Sequence, residues 1–447
     1  MKTTVKREYE DMNSSEEEKK SANVFAGRNF RLVFLGALVS ELGALLYSFA
    51  VSFYILEISN NNAFLQGLYL ALCGVAMLVF TPVGGVMGDR FNKARIMYVC
   101  DYLKGSTIIL ATVLMLVFRN PDAHLVILFI LGIIGNAVSG VFNPASGALL
   151  PHIVAEDKLQ QANSYFTIKS SLESILGVIL AGVLYAALPI HLLFFLVGAC
   201  FLASGLSEMF IRYDHQPSQE NLTLKLAVRD MRDGLVYLKT QKAILALLGA
   251  ILFINFFFSP VTGNFLPFFV RTDLATAPSY LLDNVLTPEL WSSVVGVCFG
   301  ISSLLGAAIL SAGKQPDKCG HKVAVRIGLI ALLMIVWTVS YWILVDRGVS
   351  LNAFLVVLCL GTLVMGFLIS YVNIPVSTAI MRVVDKDKLS KVTSITSIGS
   401  QGMIPVASVL AGAILQSLGS TPLLVFCSLG FSVTAVLMLV NKSIRNL

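Results

Sequence analysis

A chain of 447 residues that is 56% hydrophobic and only 13% charged cannot solvate itself in water, since a soluble domain carries about 25% charged residues. The net charge of +6 does not mark a nucleic-acid binder, because the cations sit in short loops between apolar runs rather than on one solvated face. A polytopic membrane protein is what remains.

Residues 1–29 are a polar tail with no apolar stretch of the signal-peptide kind, so the first span itself is expected to direct insertion. A membrane helix needs about 20 apolar residues. Twelve stretches qualify: 30–57, 64–87, 94–118, 123–150, 162–186, 188–210, 243–270, 289–312, 323–346, 351–381, 392–417 and 420–441. They predict an all-α membrane protein with a six-helix bundle at 30–210, a linker at 211–242, a second six-helix bundle at 243–441 and a tail at 442–447. In the linker, Leu224, Val228, Met231, Leu235 and Leu238 recur at helical spacing with Lys225, Arg229, Arg232 and Lys239 between them. That pattern predicts an amphipathic helix on the membrane surface.

Orientation follows from Lys and Arg. With the N-terminus inside, 27 of the 32 fall on the inner side and 3 on the outer, so both termini are expected to be cytoplasmic. The seven cysteines are scattered singly, nearly all inside apolar spans, and predict neither disulfide nor metal site. The five histidines fall in loops and do not cluster. With no nucleophile elbow and no phosphate loop, the sequence predicts no enzyme, no catalytic residue and no cofactor.

The turn after the second span reads Gly85-x3-Asp89-Arg90-x2-Lys93-x-Arg95, with Gly84 and Gly88 beside it. A degraded copy, Gly313-x3-Asp317-Lys318-x3-Lys322, follows 228 residues later. Asn143-Pro144-Ala145-Ser146, Asp157-Lys158-Leu159 and Leu180-Ala181-Gly182 recur as Asn373-Ile374-Pro375-Val376-Ser377, Asp387-Lys388-Leu389 and Leu410-Ala411-Gly412, at offsets of 230 or 231. Three matches in register argue for two six-helix halves related by duplication. Two parallel repeats with a site between them are a transporter plan.

On these residues the chain resembles the major facilitator superfamily over about 30–441. The turn at 85–95 is similar to that family's motif A. Phe142-Asn143-Pro144-Ala145, Leu150-Pro151, Leu159-Gln160-Gln161-Ala162-Asn163 and Asp230-Met231-Arg232-Asp233-Gly234-Leu235-Val236-Tyr237-Leu238 resemble the branch of macrolide-efflux proteins and enterobactin exporters. The resemblance implies alternating access and a bacterial plasma membrane. It implies that Gly85, Asp89, Arg90, Lys93 and Arg95 help latch the inner ends of the halves, with Gly313, Asp317, Lys318 and Lys322 as the degenerate counterpart. It also implies that spans 1, 4, 7 and 10 line the cavity.

Five charges lie within spans, where each needs an explanation: Glu41, Asp101, Lys104, Lys169 and Glu173. Asp101 and Lys104, at i and i+3, are expected to form a structural pair buttressing the turn. Lys169 and Glu173, at i and i+4, suit packing or a site equally. Glu41 has no cation nearby on its own span and would face the cavity. Three acids against two bases leave one excess carboxylate, which in a low dielectric takes up a proton readily. Glu41, sharing the work with Glu173, is therefore the candidate proton or cation site. Asn255, Ser259, Pro260, Gly263 and Pro267 interrupt the seventh span, and Gln401 and Pro405 mark the eleventh. The phenylalanines at 256–258, 265, 268 and 269 suit packing or an apolar substrate.

The expected function is export of an amphipathic organic compound by proton antiport, from a monomer whose partners are its substrate, protons and membrane lipids. Two departures leave coupling open. The fourth span lacks the arginine of many proton-coupled drug antiporters, and the fifth carries Gly177 and Gly182 but no proline. A lipid-like substrate, a small metabolite and a non-transporting sensor on the same fold remain as alternatives.

Overall fold

The structure, a computed structural model, describes residues 24–155, 158–213, 229, 236, 242–312, 320–383 and 386–440. Residues 1–23 of the expected N-terminal tail, the C-terminal tail, nearly all of the linker helix, and Gly313, Asp317 and Lys318 lie outside the described residues.

Among the described residues, twelve helices are long and apolar enough to cross a membrane. The first half comprises α1 (Arg28–Ile58), α2 (Ala63–Arg90), α3 (Lys93–Val117), α4 (Pro121–Ile153), α5 and α6 (Ile190–Glu208). α5 runs Leu159–Leu172, widens into a π turn at Glu173–Gly177 and continues as Val178–Ala187. In the second half α7 starts as Lys242–Pro260 and is broken by π turns at Val261–Phe265 and Val270–Leu274. α8 (Pro288–Ala312), α9 (Gly320–Tyr341), α10 (Leu351–Val383), α11 (Lys386–Leu418) and α12 (Ser420–Val440) complete it. The interruption expected in the seventh span is thus two widened turns flanking Leu266–Phe269 rather than a plain proline kink.

Packing repeats with a six-helix offset. α2 packs on α4 as α8 packs on α10; α3 packs on α6 as α9 packs on α12; α1 packs on α6 as α7 packs on α12. Between the halves the main contacts are α2 with α11 and α5 with α8, which exchange under the same offset. Faces turned away from these contacts stay apolar and exposed, Leu329, Leu360, Val433 and Leu437 among them, as lipid-facing surface requires.

The turn between α2 and α3 is shorter than its sequence suggests. Helix continues through Gly84, Gly85 and Gly88 to Arg90, so only Phe91 and Asn92 form the turn. Asn92 caps α3, its side-chain oxygen accepting from the Arg95 N–H at 3.1 Å. The buried Lys93 donates its backbone N–H to the Tyr213 hydroxyl at 2.7 Å, and burial raises the pKa of that phenol. Gly84 does let α2 approach α4: a Cβ there would stand 2.6 Å from Val141 Cα and 2.7 Å from the Gly140 carbonyl. Gly85 meets nothing within 4 Å. Gly84→Ala should therefore cost about 1–3 kcal/mol by overpacking, seen as a lower thermal midpoint in detergent, whereas Gly85→Ala should raise the midpoint slightly, since alanine favours the helix interior by about 0.5–1 kcal/mol.

The halves meet toward the end opposite the chain termini. There the Ala63 N–H donates to Gln416 Oε1 at 2.9 Å, Gln66 Nε2 to the Gly263 carbonyl at 3.3 Å, and Ser293 Oγ to the Val178 carbonyl at 2.8 Å. Small residues make this closure possible: a Cβ on Gly74 would stand 2.7 Å from Pro405 Cγ, and one on Gly296 would stand 2.6 Å from Val178 Cγ1.

Candidate substrate and proton site

A central cavity of about 340 Å³ lies between the halves. Leu45, Ser48, Phe49 and Ser52 line it from α1, Val178 and Ala181 from α5, and Phe258, Thr262 and Phe265 from α7. Ser292 and Phe299 close it from α8, Trp337 from α9 and Thr362 from α10. Its wall is overwhelmingly apolar. Two buried polar atoms in it, Ser292 Oγ and Trp337 Nε1, have no hydrogen-bond partner. Such groups cost free energy when unpaired.

This wall corrects the expected one. α1, α7 and α10 contribute, but α4 does not; α2, α5, α8 and α9 do. Of the aromatic run only Phe258 and Phe265 line the cavity, while Phe256 and Phe257 pack on Phe426, and Phe269 packs on Tyr341 and Phe354.

Glu41, Leu45, Ser48 and Ser52 follow a 4-3-4 spacing, which puts them on one helix face. Glu41 therefore continues the cavity-lining face one turn toward the end bearing the termini. It has a cation after all, from another helix: Lys169 Nζ lies 2.6 Å from Glu41 Oε2 and 3.2 Å from Glu173 Oε1. The Lys169–Glu173 contact is close in distance but is not aligned as a hydrogen bond, since Glu173 Oε1 finds no donor. Lys169 is 1% exposed and Glu173 5%, whereas Glu41 is 52% exposed. The triad therefore has a dry side and an open side, with Glu41 as its accessible member. Two features bring α5 to α1 here. Gly177 leaves room for Leu45, whose Cδ1 would stand 2.7 Å from a Cβ at that position. The π turn that begins at Glu173 shifts the register of the helix above it, and π turns are frequent at functional sites.

Asp101 and Lys104 do not close the pair expected of them. Among the described residues, neither buried Asp101 oxygen has a hydrogen-bond partner, nor does either oxygen of Glu208 on α6. Lys104 instead holds its ammonium 4.7 Å from the Phe201 ring centre and 5.5 Å from that of Phe142, a cation–π arrangement. Small residues make room where α1, α3 and α6 converge. A Cβ on Gly36 would stand 3.3 Å from Glu208 Cγ, and one on Gly205 would stand 3.4 Å from Asp101 Cβ. Glu208 takes the place of the exposed Glu41 in the count, so the buried excess of acid over base stays at one.

At the end where the halves meet, Arg271 on α7 spans both. Its Nη1 is 3.6 Å from Glu57 Oε2 on α1 and 3.6 Å from Glu289 Oε1 on α8. The Tyr185 hydroxyl donates to Glu57 Oε2 at 3.2 Å.

Asn255 and Gln401 stay apart from the triad and the cavity. Asn255 donates Nδ2 to its own helix at the Ile251 carbonyl, 3.0 Å away, and Gln401 is exposed; neither lines the central cavity. Arg90, Arg95 and Lys322 are exposed, Lys93 is buried, and the Asp89 side chain lies outside the described residues. Glu208, Ser292, Trp337 and the Arg271 cluster escaped the sequence reading. Glu208 and Glu57 stand at span ends, where acids are ordinary, and Arg271 reads as a loop cation. Trp337 gave one signal, an indole well inside a span rather than at its edge.

Residues 33–408 match the family model described as Major Facilitator Superfamily. A transporter of Bacillus subtilis described as the uncharacterized MFS-type transporter YkuC is 23% identical over 352 residues, 76% of each chain. Macrolide efflux protein A of Streptococcus pyogenes is 21% identical over 281 residues, covering 63% of this chain and 65% of that one. Among solved structures, the nucleoside transporter NupG superposes with a TM-score of 0.71 at 13% identity, covering 91% of this chain and 98% of NupG. The family transports solutes across membranes and carries no enzymatic chemistry. With its twelve helices in two matching halves and a family match across most of its length, the chain belongs to the Major Facilitator Superfamily.

Proposed function

We propose that this transporter exports an amphipathic organic compound from the cytoplasm in exchange for protons. The observation that carries the reading is the Glu41–Lys169–Glu173 triad, open on one side and sealed on the other, set on the face that continues into an apolar cavity. The efflux relative adds support for the direction. The Lys and Arg distribution puts the end bearing the termini in the cytoplasm, so the triad faces the cytoplasmic cleft while the outer end is shut.

The cavity wall supplies apolar and aromatic surface for the body of the substrate. Lys169 can satisfy one carboxylate fully; the second gains from a proton in the dry site. The two acids share that proton, which enters and leaves through Glu41 where the cleft reaches it and is given up when the halves rock to the other arrangement. Only differential binding to the two arrangements lets substrate and proton shift the equilibrium. Coupling through this triad needs neither an arginine on α4 nor a glycine-proline step on α5. Asp89, Arg90, Lys93 and Arg95 serve in this reading as the inner latch, formed when the cleft faces outward.

Glu41→Gln keeps a hydrogen-bonding partner for Lys169 but cannot ionise. In proteoliposomes loaded with an amphipathic dye, the variant should still exchange dye down its own gradient, while uphill flux driven by an imposed pH gradient should vanish. Wild-type uphill flux in the variant would sink the proton assignment.

A further inference from the structure

A second chamber, also of about 340 Å³, lies wholly within the first six helices. It is distinct from the central cavity in character. Tyr47, Tyr69, Cys73, Lys104, Asn136 and Ser139 give it a polar wall. The two spaces share Ser48 and Leu70, so they adjoin through a common wall on α1 and α2. Ser48 is exposed on that boundary.

Among the described residues, Lys104 is the only cation on the chamber wall. Its ammonium leans on the rings of Phe201 and Phe142 and makes no hydrogen bond or ion pair with any described residue. An ammonium has three donors and strong hydration, so leaving all three unmet inside a helical bundle is costly. Asp101, one turn back on α3, and Glu208 on α6 lie close enough to offset its charge, but neither supplies an acceptor. The donors are therefore free for whatever enters the chamber, with the Tyr47 and Tyr69 hydroxyls and the Asn136 amide beside them.

We infer that this side chamber binds an acidic group of the transported molecule, a carboxylate, sulfonate or phosphate, with Lys104 as its counter-ion, while the apolar body of the molecule occupies the central cavity. The inference rests on the central cavity being the substrate site and narrows the substrate to an amphipathic organic anion. Ser48 and Leu70 then sit where the acidic end joins the apolar body.

The test uses the purified full-length protein in nanodiscs with two fluorescent probes of nearly the same skeleton, anilinonaphthalene sulfonate and uncharged phenylnaphthylamine. Wild type should bind both saturably and the sulfonate more tightly. Lys104→Met should weaken sulfonate binding at least about tenfold, the scale of one hydrogen bond to a charged group, and leave phenylnaphthylamine binding unchanged. Lys104→Arg should restore much of the preference. Should Lys104→Met fail to fold, Ser139→Trp fills the chamber without touching a charge, and the same selective loss is expected. Sulfonate affinity that stays at the wild-type level in a folded variant, an equal loss of both probes, or no saturable sulfonate binding to wild type overturns the inference. Ser52→Trp reports on the other reading: it fills the central cavity alone and should weaken both probes. Unchanged phenylnaphthylamine binding in that variant would sink the central-cavity site instead.

Discussion

Lys169→Met is expected to destabilise the protein by about 3–5 kcal/mol, the cost of leaving buried carboxylate charge without its cation. Methionine keeps most of the volume of the side chain, so the loss reports charge rather than packing. Lys169 is 1% exposed and holds Glu41 and Glu173 within 2.6 and 3.2 Å. Removing it leaves two acids facing each other across α1 and α5. Glu41 is 52% exposed and can turn to water, so Glu173, 5% exposed, carries most of the penalty. The double variant Lys169→Met with Glu173→Gln should accordingly recover to within about 1 kcal/mol of wild type, because a buried ion pair replaced by neutral groups is often close to neutral in stability. Chemical unfolding in mixed micelles measures both. A single variant as stable as wild type, or a double variant no better than the single, would show that the triad is not held as an ion cluster.

Arg271→Ala should open the end where the halves now meet. Arg271 touches Glu57 on one half and Glu289 on the other, each at 3.6 Å. Contacts this long between partly exposed groups are individually weak, about 0.2–1 kcal/mol. Losing both leaves two carboxylates close together on the closing surface, so the balance between closed and open arrangements should shift roughly fivefold or more. Spin labels at positions 187 and 285, one on each side of this closure and both exposed, should report a longer distance and a larger open fraction in the variant. Glu57→Gln with Glu289→Gln in the Arg271→Ala background should bring the distance back, since the repulsion would be gone while the α2–α11 and α5–α8 contacts remain. An unchanged distance distribution in Arg271→Ala would show that those helix contacts alone hold the closure.

The two lysine clusters differ in a way that bears on mechanism. Each sets one lysine near two carboxylates. Around Lys169 the groups touch, and one of them reaches the cleft. Around Lys104 they do not touch, and the lysine faces a chamber. The first arrangement suits a site that exchanges protons with solvent. The second suits a site that waits for an anion. Both lie in the first half, as the sequence indicated, and the second half contributes mostly apolar wall and one side of the closure.

The sequence by itself determined the class, the twelve spans, the duplicated plan and the family. These rest on local properties: runs of apolar residues long enough to span hydrocarbon, loops too short to hold a domain, and a charged turn repeated at a fixed offset. It also picked out Glu41, Lys169 and Glu173 as charges within spans, because a charge inside an apolar run is anomalous wherever the run sits. What it could not decide was which charges meet. Helical spacing relates residues on one face of one helix, so it paired Asp101 with Lys104 and left Glu41 without a cation. The actual partners come from other helices, and helix crossings are set by where small residues permit close approach: Gly177 against Leu45, Gly36 beside Glu208, Gly205 beside Asp101. Only the tertiary structure brings Lys169 to Glu41, buries Glu208 at a three-helix junction and turns Lys104 into a chamber, because those relations depend on the approach of backbones far apart in the chain.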